Sequence, residues 1–593
     1  MPVATRTLLW SLLFALTAIG SVIWQAWPRE VPEAGVERVD CVSYAPFRLP
    51  GESPFDETAR VSRARIAEDL RLLSARTQCV RTYSIDQGLD QVPEVARELG
   101  MQVLMGVWLN RDRARNAVEL QRALALTQAH RDVVRALVVG NEVMLRRELA
   151  EHELLALLQQ ARAGAGVPVT YADVWEFWHK HPRLAGAVDF ITIHILPYWE
   201  DEPVGVDEAV THVVDIYRQM QQAFPGRTLL IGETGWPRAG RARRQAEPGV
   251  VEQARFVRGF VAEAHAQRLP YNLIEGFDQP WKRHLEGAMG GYWGLFDSAG
   301  RPAFPWHGPI APEARWREPL LAGGAAMLLA GALALFRQRR EIGLSVPPGR
   351  RGVDGAALGA QLLCGLAVGI VLHVQWRYVQ TWHRDALELA IGGGGAVLGA
   401  LMVWLAVRRA GGCGEANGYV DPAGGAAPGR AAPGRAAQLP GLAELLRIPS
   451  ASTSAAPSRP PTSEALLSAL RALFLFGAAA TLLLLVFDAR YRGFPWPLFA
   501  LPTGAMLLLA AQGQRLPPDA REERLLAGVM VAAAPLVALL ERPSNLAALG
   551  FLALLLALAA ACFGLPHQKP GRGAVRTSTS APSSAASADG SNE

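Results

Sequence analysis

Lysine is nearly missing from this chain. Of 593 residues only Lys180, Lys282 and Lys569 are lysine, so the formal charge of +5 rests on arginine. No basic block is interleaved with aromatic residues, which argues against a nucleic-acid partner. Cysteine is scarce too. The five cysteines show no CxxC or other metal-ligand spacing, so no metal site is expected. Cys364 and Cys562 sit in apolar runs and read as small core residues. Cys41 and Cys79 share one segment and can pair only if that segment is exported; the sequence leaves this open. SYAPFRLPGES (43–53) stands where a doubly wound nucleotide-binding sheet usually carries its Gly-rich phosphate turn. No A-x-A cleavage site follows the first apolar stretch, so that stretch reads as a retained anchor.

What the chain has in excess is apolar sequence, unevenly placed. Residues 8–27 form the anchor, preceded by a short amino terminus (1–7). Further spans are expected at 319–336, 356–374 and 386–407, within a block 319–407, and at 469–487, 494–512, 522–541 and 544–564, within a block 469–564. Arg337, Arg339, Arg340, Arg350, Arg351, Arg408, Arg409, Arg515, Arg521, Arg524, Lys569, Arg572 and Arg576 fall on one side of this pattern, with Arg377, Arg384, Arg490 and Arg492 as exceptions on the other. Eight spans then put both termini in the cytoplasm and the segment after the anchor outside. Residues 408–464 and 567–593 are rich in Ala, Pro, Gly and Ser and read as a disordered cytoplasmic linker and tail.

Between anchor and spans, residues 36–312 alternate short apolar runs with amphipathic stretches. The runs are CVSYAPF, CVRTYS, QVLMGVWLN, ALVVGNEV, VPVTYADV, FITIHILPYW, LLIGETGW and NLIEGFDQPW. Eight strand-like runs separated by helices predict an α/β fold, a closed (β/α)8 barrel, followed by an all-α membrane region. In such a barrel functional side chains gather at the carboxyl ends of the strands. Glu142 ends ALVVGNE and Glu233 ends LLIGE. Two carboxylates facing one pocket can cleave a glycosidic bond, one attacking the anomeric carbon and the other donating a proton to the leaving oxygen. Asn141 is placed to bond a sugar hydroxyl.

VVGNE (138–142), IGETGWP (231–237) and FDQPWKRHLEGAMGGYWGLFD (277–297) resemble glycoside hydrolase family 17, a β-1,3-glucanase family. The resemblance covers roughly residues 38–306. It implies Glu233 as nucleophile, Glu142 as general acid/base, and Lys282 and Glu286 as residues that bind hydroxyls or tune charge. It also implies no cofactor. Substrate contacts are expected from the aromatic strand-end residues Tyr44, Tyr83, Trp108, Tyr171, Tyr198 and Trp236, with Asp278 as a polar partner, because sugars bury their C–H faces on aromatic rings. The membrane spans resemble the membrane-bound bacterial branch of the family, which implies glucan remodelling on the periplasmic side of the inner membrane. β-Glucan and the lipid bilayer are the expected partners, with a glucan synthase as a possible third. The competing reading is a non-catalytic glucan sensor or transporter, or an accessory subunit of a synthase system.

Overall fold

The computed structural model describes residues 3–342, 355–411, 462–513 and 520–563. The expected tail, nearly all of the expected linker, and Arg350, Arg351, Arg515, Lys569, Arg572 and Arg576 lie outside the described residues.

Eight parallel strands close into a barrel in sequence order: β1 (Cys41–Ser43), β2 (Cys79–Arg81), β3 (Gln102–Val107), β4 (Val134–Asn141), β5 (Val169–Val174), β6 (Ile191–His194), β7 (Leu229–Thr234) and β8 (Tyr271–Leu273). β1 closes the ring on β8 through Cys41↔Asn272 and Val42↔Leu273. The strands are buried on both faces, which is why they read as continuous apolar runs. The surrounding helices are α2 (Arg63–Ser74), α3 (Val92–Glu98), α4 (Arg113–Ala129), α5 (Glu151–Gly164), α6 (Trp175–Lys180), α7 (Val206–Ala223) and α8 (Val250–Gln267). Local chemistry starts them. Ser62 caps α2 by accepting from the Arg65 amide, and Asp112 caps α4 by accepting from the Arg115 amide. α7 buries Ala209, Val213, Ile216, Tyr217 and Met220, one face at three- and four-residue spacing.

The remaining helices are α1 (Val3–Ala26), a short α9 (Arg283–Glu286), and then α10 (Arg317–Ile342), α11 (Gly355–Trp382), α12 (Ala386–Gly411), α13 (Thr462–Phe487), α14 (Trp496–Ala511), α15 (Arg521–Glu541) and α16 (Leu546–Phe563). Seven of these are long and apolar enough to cross a membrane. α14 is apolar but shorter, and it begins at Trp496 after Pro495, with Pro497 in its first turn. α11 runs past the apolar stretch expected at 356–374, because its polar last turns meet the barrel at Thr381 and Arg377. α10 and α11 approach closely at Gly369, where an added Cβ would lie 2.4 Å from the Ala322 carbonyl oxygen. Small residues let helix backbones approach this closely.

The register Val42↔Val80 sets Cys41 beside Cys79, and the two form a disulfide across β1 and β2. A cross-link of this kind restrains the unfolded chain. Cys79→Ser should therefore lower stability by about 2–4 kcal/mol, read as a drop in the thermal midpoint that dithiothreitol reproduces in the parent chain. Equal midpoints with and without reductant would contradict it.

Candidate active site

The last residues of β4 and β7 are turned into the barrel mouth by irregular backbone. The β4–β5 register shifts between Val138 and Asn141, and the β7–β8 register shifts between Ile231 and Thr234. Such shifts re-aim side chains at the end of a strand. Glu142 takes a φ of +51°, a conformation a side-chain-bearing residue rarely adopts, and its amide donates to the Ala172 carbonyl at 2.8 Å. Strain of this kind persists where surrounding structure enforces it. Gly232, just before Glu233, has no room for a side chain: a Cβ would lie 2.3 Å from the Thr192 methyl.

A carboxylate oxygen of Glu142, one of Glu233 and a ring nitrogen of His194 all lie within 4.8 Å of one another. Arg81, at the end of β2, organises them. Its Nη1 donates to Glu233 Oε1 at 3.2 Å and to the Gly232 carbonyl at 2.7 Å, and its Nη2 donates to Asn141 Oδ1 at 2.6 Å. Nη1 also lies 3.3 Å from His194 Nε2. A guanidinium only donates, so Nε2 accepts and the imidazole carries its proton on Nδ1. That proton is donated to Glu142 Oε1 at 3.0 Å. Tyr83 adds a second donor to Glu233 Oε1 at 2.8 Å. Both nitrogens of His194 are thus engaged, and a guanidinium already sits against the carboxylate a cation would need.

The electrostatics are uneven across the mouth. Burial pushes the Glu142 carboxyl up, but the hydrogen bond from His194, with the charges of Arg146 and Arg81, outweighs it and holds Glu142 below its ordinary value. Glu275, two residues beyond β8, is pushed up to about 7 by burial against the pull of Lys282. The Lys282 ammonium contacts both Glu275 oxygens, at 3.0 and 2.8 Å. Burial works against that ammonium, yet Glu275, Glu286 and Glu233 keep its proton more tightly bound than usual. Glu286 is raised by burial and by the fields of Glu142 and Glu233, with Lys282 opposing. Lys282 is therefore the compact cation inside an acidic cluster.

Residues 41–294, the span of the barrel, match the BtgE/BtgC glycoside hydrolase domain. That match covers less than half of the chain. Among similar proteins, a probable beta-glucosidase btgE of Aspergillus fumigatus is 28% identical over 264 residues, 43% of this chain and 45% of that protein. A glucan 1,3-beta-glucosidase of Schizosaccharomyces pombe is 29% identical over 233 residues, 36% of this chain and 72% of that one. The chain spans about half the length of the btgE relatives it matches. Among solved structures, an active-site mutant of Rhizomucor miehei beta-1,3-glucanosyltransferase in complex with laminaritriose is 23% identical, with 46% of this chain and 98% of that chain covered and a TM-score of 0.40.

At the barrel mouth Asn141, Glu142, Tyr83 and Glu233 come together. Asn141 gives its Oδ1 to Arg81, leaving its amide N–H groups for a ligand. Trp108 stays partly exposed beneath the Arg146 guanidinium, 4.3 Å from its ring centroid. Five of the residues expected to contact sugar lie buried and are held by protein partners. Trp236 is fully buried, donates its indole N–H to the Glu247 carbonyl and packs on Tyr198 and Phe256. Its ring packs in the interior beside the strand that carries Glu233. Tyr44 points outward to Asp69 on α2. Tyr171 is buried behind the Glu142 turn, where its oxygen accepts from the Met144 amide. Tyr198 is buried and donates to the Arg241 carbonyl. Asp278 spends both oxygens on Arg238 and also accepts from the Gly294 amide. In each case burial follows from large rings or a buried charge filling the space behind the loops.

Arg81, His194 and Glu275 are not among the residues that the sequence singles out. Glu275 follows the run NLI as Glu142 and Glu233 follow theirs, so the same rule would have found it. Arg81 is a charge ending an apolar strand, the same kind of signal. Removing it as Arg81→Leu leaves Glu233 and Asn141 without their shared donor, at a cost of about 3–5 kcal/mol. A thermal midpoint equal to that of the parent chain would contradict this role.

Proposed function

We propose that this chain is a membrane-anchored retaining glycosidase or glucanosyltransferase acting on β-1,3-glucan, with Glu233 as nucleophile and Glu142 as general acid/base. The observation that carries the reading is the pair itself: two carboxylates at the ends of β4 and β7 with oxygens inside 4.8 Å, close to the roughly 5–5.5 Å separation of a retaining pair. The names of the fungal relatives point to the same substrate class. Glu233 Oε1 is held by Tyr83 and Arg81, which leaves Oε2 to attack the anomeric carbon. The C–O bond to the leaving sugar breaks as Glu142 passes its proton to the departing oxygen, giving a glycosyl ester on Glu233. Glu142, now ionised and steadied by His194 Nδ1–H, takes a proton from the incoming water or sugar hydroxyl, whose oxygen displaces Glu233. Water gives hydrolysis; a sugar gives a longer chain. Asn141, Trp108, Lys282 and Glu286 hold and polarise the substrate.

The location belongs to the same proposal. A disulfide in the hydrolase domain suits an oxidising compartment. The connections α11–α12, α13–α14 and α15–α16 all lie at the barrel end of the helical region. The arginine pattern assigns the opposite side to the cytoplasm, so the domain faces outward, on the periplasmic side of a bacterial inner membrane.

Two experiments test this reading. Glu233→Ala should abolish turnover of β-1,3-oligosaccharides, and azide should restore a glycosyl azide of inverted configuration. Rescue confined to Glu142→Ala would reverse the roles. The second concerns pH. Glu142 must be protonated to act as acid and sits below its ordinary value, so kcat/KM should be highest at acid pH and fall as pH rises through that value. His194→Phe removes the donor that favours the ionised form, so the basic limb should move to higher pH. An unmoved limb would separate His194 from the acid.

A further inference from the structure

Beside the barrel mouth lies a second groove of about 440 Å³, lined by residues 50–53, Phe55, Pro280, Trp281, residues 283–285 and Arg384. Its volume is in the range of small-ligand pockets, about 300–1,000 Å³. Two of its walls are barrel loops, those after β1 and β8. The third is Arg384, in the turn between α11 and α12 of the helical region. The turn Pro280–Lys282 is shared with the catalytic pocket: Lys282 reaches Glu275 on one side, and Trp281 lines the groove on the other.

The helical region is seated on this end of the barrel. Arg283 donates to the His383 carbonyl, and the Tyr292 hydroxyl donates to the Thr381 carbonyl at 3.0 Å. Arg241, in the loop after β7, pairs with Glu541 at the end of α15, with both side chains 5% exposed. Asn545 donates to the Ala242 carbonyl at 3.2 Å. Trp199, after β6, meets Tyr491 edge to face, with centroids 6.4 Å apart. These barrel loops follow β6, β7 and β8, at the same end as Glu142 and Glu233. A polymer leaving the catalytic mouth over the β8 loop therefore passes between barrel and helices.

The groove has the chemistry of a sugar site. Trp281 gives its indole N–H to Gln279 at 2.8 Å, and Phe55 meets its ring edge to face at 5.5 Å, so the indole plane is fixed. Phe55 is 66% exposed and Leu285 54%, apolar surface at the groove's rim. Arg384 is held by Glu388 through Nε and Nη2, and no protein group among the described residues bonds its Nη1. A fixed indole, over which the Lys282 ammonium also lies at 5.8 Å, and an arginine donor thus line one groove, a pairing that suits a pyranose, whose C–H face is apolar and whose rim is hydroxyl.

We propose that this groove binds the distal sugars of the β-glucan chain, and that the helical region, through Arg384, supplies one wall of it. The inference rests on the functional reading above. It makes the helices part of the substrate cleft as well as an anchor. The test uses the full chain in nanodiscs with β-1,3-glucose trimer and octamer as probes, and measures kcat/KM and binding for each. Arg384→Ala should lower the octamer-to-trimer ratio of kcat/KM about tenfold, or 1.4 kcal/mol. Phe55→Ser, on a loop outside the ion pair, should lower it in the same direction, which separates a lost sugar contact from a misfolded turn. A parent chain that binds and turns over both probes while the two variants keep its ratio would overturn the inference alone. A parent chain that neither binds nor turns over either probe would overturn the functional reading as well. Equal losses on trimer and octamer would assign the groove to another occupant, such as a lipid headgroup, and also overturn it.

Discussion

One buried guanidinium holds the site together. Arg81 reaches from β2 across the barrel mouth to the ends of β4, β6 and β7, touching Asn141, His194, the Gly232 carbonyl and Glu233. A buried charge is tolerated only when it is paired and hydrogen-bonded; Nη1 and Nη2 make those bonds, while Nε has no partner among the described residues. Here that requirement fixes the geometry of both candidate carboxylates. The tautomer of His194 follows from it, and so does the hydrogen bond that holds Glu142. Tyr83 and the Ser43–Asn272 pair extend the same network to β1 and β8. Six of the eight strands thus meet in one polar cluster, while the space behind the loops is packed with rings.

That division explains how much was legible. The barrel could be read because buried parallel strands show as apolar runs, and Glu142 and Glu233 because a carboxylate ending such a run is costly unless it has work to do. The aromatics were less legible. A Trp or Tyr in a strand-end loop has the same sequence signature whether it floors a sugar site or fills a gap behind one. Trp236 and Tyr198 interlock with Trp293 and Phe256, contacts that join residues up to about 95 positions apart and leave no periodic trace. Arg81 escaped notice for a related reason: its value lies in four partners on other strands.

The helical region shows the same limit. Length and hydropathy mark the helices, but not that their barrel-side turns grip the loops after β6, β7 and β8. The Arg241–Glu541 pair is buried between the two parts. Ion pairs stripped of water are seldom strong sources of stability, yet breaking one leaves an uncompensated charge, so the pair fixes how the barrel is seated. Arg384 and Arg492, which stood out against the charge pattern of the spans, lie in turns that contact the barrel. Both are tied to the barrel, by the groove that Arg384 lines and by the Arg241–Arg492 hydrogen bond.

The central claim is that Glu233 becomes covalently bonded to sugar. The most direct measurement is mass spectrometry of the chain after exposure to a 2-deoxy-2-fluoro-β-glucosyl donor carrying a β-1,3-linked glucose, which slows release of the ester. The account gives one added glycosyl group, on the peptide containing Glu233, lost again when an acceptor sugar is supplied. A label on Glu142, or turnover of the donor with no covalent adduct, would contradict it.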